Sequence, residues 1–77
     1  MKPYEVVKSV AGRDKESLLA VVGECDGFIL VADGLARRLE NPKRKNKKHL
    51  ISTGRSLNEE ELNSNKSLRR ALKHCEL

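Results

Sequence analysis

Aromatic residues are scarce in this chain of 77 residues: Tyr4 and Phe28 are its only two, and tryptophan is absent. Single-stranded bases are usually held by stacking on aromatic side chains, so a stacking platform for bases is not expected. Long apolar runs are missing as well, and no segment approaches the roughly 20 apolar residues that cross a bilayer. A chain this short forms one domain with a modest core, which disfavours a deep catalytic cleft.

Cysteine and histidine are few and poorly spaced for chemistry. The chain has two cysteines, Cys25 and Cys75, and two histidines, His49 and His74, with no Cys-x-x-Cys or His-x-x-x-His spacing. Zinc sites are built on such spacings, so no metal and no other cofactor is expected, and both cysteines are expected to be free thiols. Nothing indicates a nucleophile with a base and an oxyanion hole, and we therefore expect no catalytic activity.

The first ten residues do not have the composition of a signal peptide, because Lys2, Pro3, Glu5 and Lys8 interrupt any apolar stretch. We expect a cytoplasmic protein with no membrane partner, and a monomer when it is free.

Positive charge is concentrated in one part of the chain. Residues 1–34 carry four basic and six acidic groups, residues 35–55 carry eight basic and one acidic, and residues 56–77 carry four of each, for a net charge of +5. A generic basic run is more often a solvated surface, but a basic cluster on a small folded domain is typical of polyanion binding. The clustering favours a polyanion partner.

Short apolar segments and turn residues predict five strands. The predicted strands are Tyr4–Val10, Leu18–Gly23, Phe28–Asp33, Leu35–Glu40 and His49–Thr53. Gly12, Asp26-Gly27 and Asp33-Gly34 mark turns between them, and Pro42 ends the fourth strand. Residues 43–48 are then predicted to form a basic connection. Short consecutive antiparallel strands in so small a chain predict a mainly β fold, a five-stranded barrel.

The pattern changes to a helical one after residue 56. Asn58 followed by Glu61 fits a capping box, and the sequence predicts a helix over 59–74. Leu68 and Leu72 form a thin apolar stripe that Asn65 interrupts. The tail could therefore cover an open end of the barrel or present its leucines to a partner protein.

Five short sequences in a consistent order carry a family resemblance. They are Val6-Val7-Lys8-Ser9, Ala11-Gly12-Arg13-Asp14-Lys15, Leu30-Val31-Ala32-Asp33-Gly34, Arg37-Arg38-Leu39 and Pro42-Lys43-Arg44-Lys45-Asn46-Lys47-Lys48-His49-Leu50. With them the chain resembles the KOW-motif family, and looks most similar to small bacterial KOW-domain RNA-binding proteins related to large-subunit ribosomal proteins of the fourteen-e type. The resemblance implies an SH3-like barrel over residues 1–55, followed by a helical tail over 56–77 that lies outside it. The chain departs from the family pattern at Glu5 and Glu16, where the family usually has glycine.

The resemblance and the charge together predict a set of RNA-binding residues. The set is Arg13, Lys15, Arg37, Arg38, Lys43, Arg44, Lys45, Lys47 and Lys48. Lysine meets phosphate as a point charge and arginine as a bidentate fork, so backbone contacts to structured RNA with little base readout are expected. The resemblance implies ribosomal RNA as the partner, with ribosomal proteins nearby.

A second hypothesis belongs to another functional class. In it the chain is an adaptor in translation or transcription that binds a protein through the barrel edge or the tail helix, and the basic residues only aid solubility. The amino-acid sequence leaves both hypotheses open.

Overall fold

Short apolar strands separated by glycine-containing turns form one antiparallel sheet. The structure is a computed structural model that describes residues 2–12 and 16–75. The strands are β1 (Glu5–Ser9), β2 (Leu18–Cys25), β3 (Phe28–Ala32), β4 (Lys43–Lys45) and β5 (Leu50–Ser56), and the helix α1 (Asn65–His74) follows them. The sheet order is β4-β3-β2-β1-β5. The predicted mainly β fold, with five strands and a C-terminal helix, is confirmed, and the arrangement is consistent with a small SH3-like barrel.

Two residues form the tight turn of the β2–β3 hairpin. Asp26 and Gly27 have φ angles of 50° and 83° between the paired residues Cys25 and Phe28. A two-residue hairpin with positive φ at both central positions is a type I′ turn, for which Asp-Gly is a preferred sequence. This turn is where the sequence predicted it.

Both faces of the sheet are buried, because successive strand residues point to opposite sides. One face contributes the six apolar residues of a first core cluster, drawn from β1, β2, β3 and β5: Val7, Leu19, Val21, Ile29, Val31 and Leu50. The opposite face contributes Val6, Ala20 and Ala32, which lie side by side on β1, β2 and β3. Since both faces are apolar, the second one needs a cover.

Helix α1 is that cover. Leu68 and Leu72 join the second cluster with relative exposures of 0% and 5%. Ala20 and Ala32 beneath them are small, so the helix can approach the sheet closely. The helix therefore packs on one face of the sheet, whereas the sequence predicted either a cover at the end of the barrel or a surface for a partner. Among the described residues, no helix is long and apolar enough to span a membrane.

The predicted helix over 59–74 is interrupted. Residues Glu59–Leu62 form a 3-10 helix, and α1 begins separately at Asn65 with Ser64 as its N-cap. The capping box is confirmed: Asn58 accepts a hydrogen bond from the Glu61 backbone N–H at 2.9 Å, and the Glu61 carboxylate accepts from the Asn58 N–H at 3.0 Å. The box starts the 3-10 helix, and the chain then turns before α1.

The predicted fourth strand is wrong. Residues 35–40, assigned to it, are turns and bends, and the fourth strand is β4, inside the segment that was predicted to be a basic connection. β4 pairs with β3, with Lys45 opposite Ile29 and Lys43 opposite Val31. A ladder of backbone hydrogen bonds does not need apolar side chains on an edge strand, and for this reason the hydrophobic pattern missed it.

Glu16 occupies a backbone conformation that favours glycine, with φ at 73°. We expect Glu16→Gly to raise the free energy of unfolding by about 0.5–1 kcal/mol, because glycine removes the Cβ strain of the left-handed region. The change also removes the ion pair with Lys8 at 3.5 Å, but the Glu16 side chain is 73% exposed and such pairs contribute little. Urea unfolding measures the effect. Glu16→Ala, which loses the carboxylate and keeps Cβ, should show no gain, and equal stabilities of the two variants would contradict the explanation.

Candidate nucleic-acid interface

Four exposed cations lie together at the β4 edge of the sheet. We define the basic edge as Lys43, Arg44, Lys47 and Lys48, all of which are exposed. The first two lie on β4, and the other two lie in the 3-10 turn Lys47–His49 that links β4 to β5. Because only Asn46 separates the strand from the turn, all four side chains leave the backbone within six consecutive residues.

Asn46 fixes the conformation of that turn. Its side-chain oxygen accepts a hydrogen bond from the Lys48 backbone N–H at 3.1 Å, and its backbone carbonyl accepts one from the His49 N–H at 2.9 Å. Asparagine is favoured at such N-cap positions because its short side chain reaches the free N–H groups of the following turn. The two lysines of the turn are therefore presented on a defined backbone.

Arg44 lies over the only exposed aromatic ring of the described residues. On β4 its side chain points away from those of Lys43 and Lys45, and its guanidinium carbon is 5.5 Å from the centroid of the Phe28 ring, which is 40% exposed. A cation at this distance from an aromatic face is attracted to it. The pair holds the guanidinium over the ring, in a place where nucleotides could also contact it.

An open concavity of about 480 Å³ lies beside the basic edge. It is lined by Ala11, Gly12, Lys43, Arg44, Lys45, Asn46 and His49. Ala11 and Gly12 belong to the connection between β1 and β2, so that connection and β4 form its two sides. The lining has no carboxylate, and an anionic group could enter it without repulsion.

Lys45 is turned into the protein. It is only 8% exposed, and its Nζ donates hydrogen bonds to Ser9 Oγ at 3.0 Å and to the Ala11 carbonyl at 3.1 Å. Ser9 is fully buried and donates its own hydroxyl to the same carbonyl. A buried ammonium group needs such acceptors, and here it ties the edge strand β4 to the end of β1 across the barrel. Lys45 was predicted to contact RNA, and we assign it a structural role instead.

We expect Lys45→Met to lower the free energy of unfolding by about 1–2 kcal/mol. Hydrogen bonds from a charged donor contribute more than neutral ones, and the desolvation cost of the ammonium offsets part of that contribution. Lys43→Met is the matched control, since Lys43 is exposed on the same side of the same strand, and it should change stability by less than about 0.5 kcal/mol. Urea unfolding compares the two, and equal effects would contradict a structural role for Lys45.

Arg37 and Arg38 lie in the loop over 33–42 that joins β3 to β4. Asp33 closes the start of this loop, since its carboxylate accepts hydrogen bonds from the backbone N–H groups of Leu35 and Arg37 at 2.8 and 2.9 Å. Arg37 is half-buried there, while Arg38 is exposed and donates to Glu40 at 3.1 Å. Neither arginine belongs to the basic edge, and the charge of Arg38 is partly compensated.

Glu40 also connects this loop to the helix. Its carboxylate accepts a hydrogen bond from the Asn65 side-chain amide at 2.7 Å, and the Asn65 side-chain oxygen accepts one from the Leu39 backbone N–H at 2.7 Å. The hydrogen bond from Asn65, with smaller contributions from the backbone and Arg38, lowers the pKa of Glu40. Asn65, which interrupts the apolar stripe in the sequence, is thus the residue that joins α1 to the loop.

Two predicted RNA-binding residues, Arg13 and Lys15, lie outside the described residues. The neighbouring Gly12 is exposed with φ at 76°, and a Cβ placed on it would lie 3.6 Å from Lys45 Nζ. The start of the β1–β2 connection therefore lies beside Lys45, the last residue of β4.

The described residues hold no group of three or more histidine, cysteine, aspartate or glutamate side chains that could bind a metal ion. Cys25 and Cys75 are free thiols, as predicted.

Sequence reasoning missed two features of this surface. Phe28 was noted only as a rare aromatic, although its position directly after a type I′ turn places it at an exposed strand end. The helix cations were given no role in binding, because residues 56–77 carry four basic and four acidic groups and sum to zero. A count restricted to α1, which has no acidic residue, would have found them.

The fold and the site define a class of small β domain with a cationic sheet edge. Comparison with protein-family models and with curated proteins found no match to this chain. The KOW resemblance therefore rests on the residues that carry it.

Proposed function

We propose that this chain is a non-enzymatic RNA-binding module of the KOW type, which holds the phosphate backbone of structured RNA with its basic edge. The observation that carries the proposal is the presence of four exposed cations within six consecutive residues of a sheet edge and its adjoining turn. None of the four forms an ion pair with a carboxylate in the portion of the chain described by the structure. Their charge is available to a polyanion.

Phosphate contacts fit this surface better than base readout. Three of the four side chains are lysines, which act as point charges, and the fourth is an arginine that can form a bidentate fork. The single exposed aromatic ring gives at most one stacking position, and it already lies against Arg44. Backbone contacts position a protein on a duplex and carry little sequence information, so the specificity we propose is for RNA shape.

Edge protection is the ordinary alternative explanation of these charges. Lysines on an edge strand prevent another strand from pairing there. That role concerns β4 itself, however, and does not account for Lys47 and Lys48, which lie beyond the strand in the turn. The charge continues where no strand edge needs protection.

The buried leucines of α1 do not support an adaptor that binds its partner through the tail helix. Such an adaptor required Leu68 and Leu72 to face a partner, and both are buried against the sheet. No observation on the barrel edge favours a protein partner over RNA, so we do not propose an adaptor function. The resemblance to KOW-domain proteins supports the ribosome as the place of action, and ribosomal RNA is the partner that we propose.

The salt dependence of binding tests this proposal directly. Each neutralised phosphate contributes a slope of about −0.9 to the logarithm of affinity against the logarithm of salt concentration. With each of the four cations of the basic edge neutralising one phosphate, affinity for an RNA duplex should fall by about 10²-fold between 50 and 200 mM salt. Fluorescence anisotropy with a labelled duplex measures it. A flat response would exclude phosphate binding as the mechanism.

A further inference from the structure

We infer that the solvent side of α1 is a second phosphate-contacting surface for the same RNA, an inference that rests on the proposed function. We define the basic helix face as Lys66, Arg69, Arg70 and Lys73, all of which are exposed. Residues spaced by three and four positions lie on one side of a helix, so the four side chains form a single stripe. This stripe lies opposite the buried Leu68 and Leu72.

Helix stability does not explain this arrangement. The polar side of a short helix usually mixes acidic and basic groups, but the ten residues of α1 contain no acid. Lys66 and Arg70, like Arg69 and Lys73, are four residues apart and repel each other. Lys66 is also in the first turn, where the helix dipole disfavours a cation. Only Lys73 is in the last turn, where a cation is favoured.

The cations of the basic helix face are not neutralised by ion pairs among the described residues. Over residues 2–12 and 16–75, none of its four cations forms an ion pair with a carboxylate. Three of the four acidic residues of the tail are in the preceding 3-10 helix, where Glu60 and Glu61 line a cleft with Arg70 and His74. The acidic turn therefore lies beside Arg70, while Lys66, Arg69 and Lys73 form no ion pair with its glutamates.

The two basic surfaces meet at the connection between β1 and β2. Ala11 and Gly12 line the concavity beside the basic edge. Ser17 and Leu18 line a second one, of about 300 Å³, with Arg69, Lys73 and the carboxylate residue Asp33. The two ends of the connection are joined, because the Ser9 N–H donates to the Ser17 carbonyl at 3.0 Å and the Glu16 N–H donates to the Ser9 carbonyl at 2.7 Å. The basic edge and the basic helix face therefore flank one short connection.

This juxtaposition points to double-helical RNA. The protein measures only 26 × 25 × 21 Å, so both surfaces can reach one duplex segment. A duplex offers two phosphate strands on either side of a groove, and proteins that recognise RNA by shape contact both. The basic edge would contact one RNA strand of the duplex, and the basic helix face would contact the other RNA strand.

The test compares three double variants that each lose two positive charges. Arg69→Gln with Lys73→Gln removes cations from the helix face, and Lys43→Gln with Arg44→Gln removes them from the basic edge. Lys2→Gln with Arg55→Gln is the control, because these exposed residues lie at the end of β1 and β5 where Glu5 pairs with Ser56. Affinity for an RNA duplex and its salt slope are measured for each variant, together with the thermal unfolding midpoint.

We expect the helix-face variant to lose at least tenfold in affinity relative to the control and to reduce the salt slope by about 2. Its unfolding midpoint should stay the same or rise at low salt, since repulsion between Arg69 and Lys73 is relieved. A purely structural role would lower the midpoint and leave the salt slope unchanged, which would overturn the inference.

The parallel variants separate this inference from the proposed function. If only the basic-edge variant loses affinity, the helix-face inference fails and the proposed function stands. If neither variant differs from the control, both fail. If only the helix-face variant loses affinity, the proposed function of the basic edge fails, and with it the inference of two surfaces on one RNA; the helix face is then the contact surface by itself.

Discussion

Replacing the four cations of the basic edge with glutamine should lower the affinity for an RNA duplex by about 10³-fold in 100 mM salt. Each lost phosphate contact removes about 0.9 from the salt slope, and at this salt concentration each contributes nearly a factor of ten through counterion release. The slope of the variant carrying Lys43→Gln, Arg44→Gln, Lys47→Gln and Lys48→Gln should therefore be smaller by about 4. Fluorescence anisotropy over a salt series measures both quantities.

Stability is the control for this result. All four side chains are exposed, so the urea midpoint of the variant should match that of the unchanged protein. The variant is also divided into two pairs, Lys43 with Arg44 and Lys47 with Lys48, each compared with the pair Lys2→Gln and Arg55→Gln. An affinity loss no larger than that of the control pair would mean that net charge alone matters, and the basic edge would not be a binding surface.

Gly34→Ala should be the most destabilising single substitution in the β3–β4 loop. Gly34 is buried with φ at 81°, and a Cβ added to it would overlap the backbone carbonyl of Asn65 and lie 3.2 Å from the Arg69 backbone nitrogen. Backbone atoms cannot give way as a flexible side chain can, so the start of α1 must move away. That movement breaks the hydrogen bonds from Leu39 to Asn65 and from Asn65 to Glu40, each contributing about 1 kcal/mol.

The expected loss for Gly34→Ala is about 3 kcal/mol or more, and Gly54→Ala is its matched control. Gly54 has the same φ of 81°, and nothing lies within 4 Å of a Cβ added there. The control therefore carries only the backbone strain of the left-handed region, about 1–2 kcal/mol. Urea unfolding of both variants gives the difference. Equal losses would show that close packing of the loop against α1 does not stabilise the fold.

Local signals in the sequence were sufficient to predict the structure wherever that structure depends on residues close together in the chain. Asp26-Gly27 identified its hairpin because a two-residue turn with positive φ admits few sequences. Asn58 and Glu61 identified a capping box because both hydrogen bonds lie within four residues. The apolar segments of β1, β2 and β3 identified their strands because both faces of the sheet are buried.

The fourth strand could not be found in that way. Leu35 and Leu39 suggested a strand, but Leu35 is 60% exposed and Leu39 packs against the cluster under the helix. β4 consists of three basic residues and forms because β3 has a free edge, which is a property of the assembled sheet. The segment that was assigned to RNA contact is therefore also part of the fold.

The burial of Lys45 is a second feature that the sequence could not predict. Its acceptors, Ser9 and Ala11, are more than 30 residues earlier in the chain, and no local pattern connects them. In the sequence Lys45 is indistinguishable from Lys43 and Lys47, because burial separates it from them only after β4 has joined the sheet. A variant chosen from the sequence would have combined Lys45 with exposed residues and mixed a stability effect with a binding effect.

The most direct test of the central claim is ultraviolet crosslinking in cells that express the protein, followed by sequencing of the attached RNA. The control is the variant with Lys43, Arg44, Lys47 and Lys48 changed to glutamine, which retains the buried Lys45. We predict discrete crosslink sites in double-helical segments of ribosomal RNA that disappear in this variant. Absence of specific RNA from the unchanged protein, or identical sites in the variant, would contradict the proposal that the basic edge binds structured RNA.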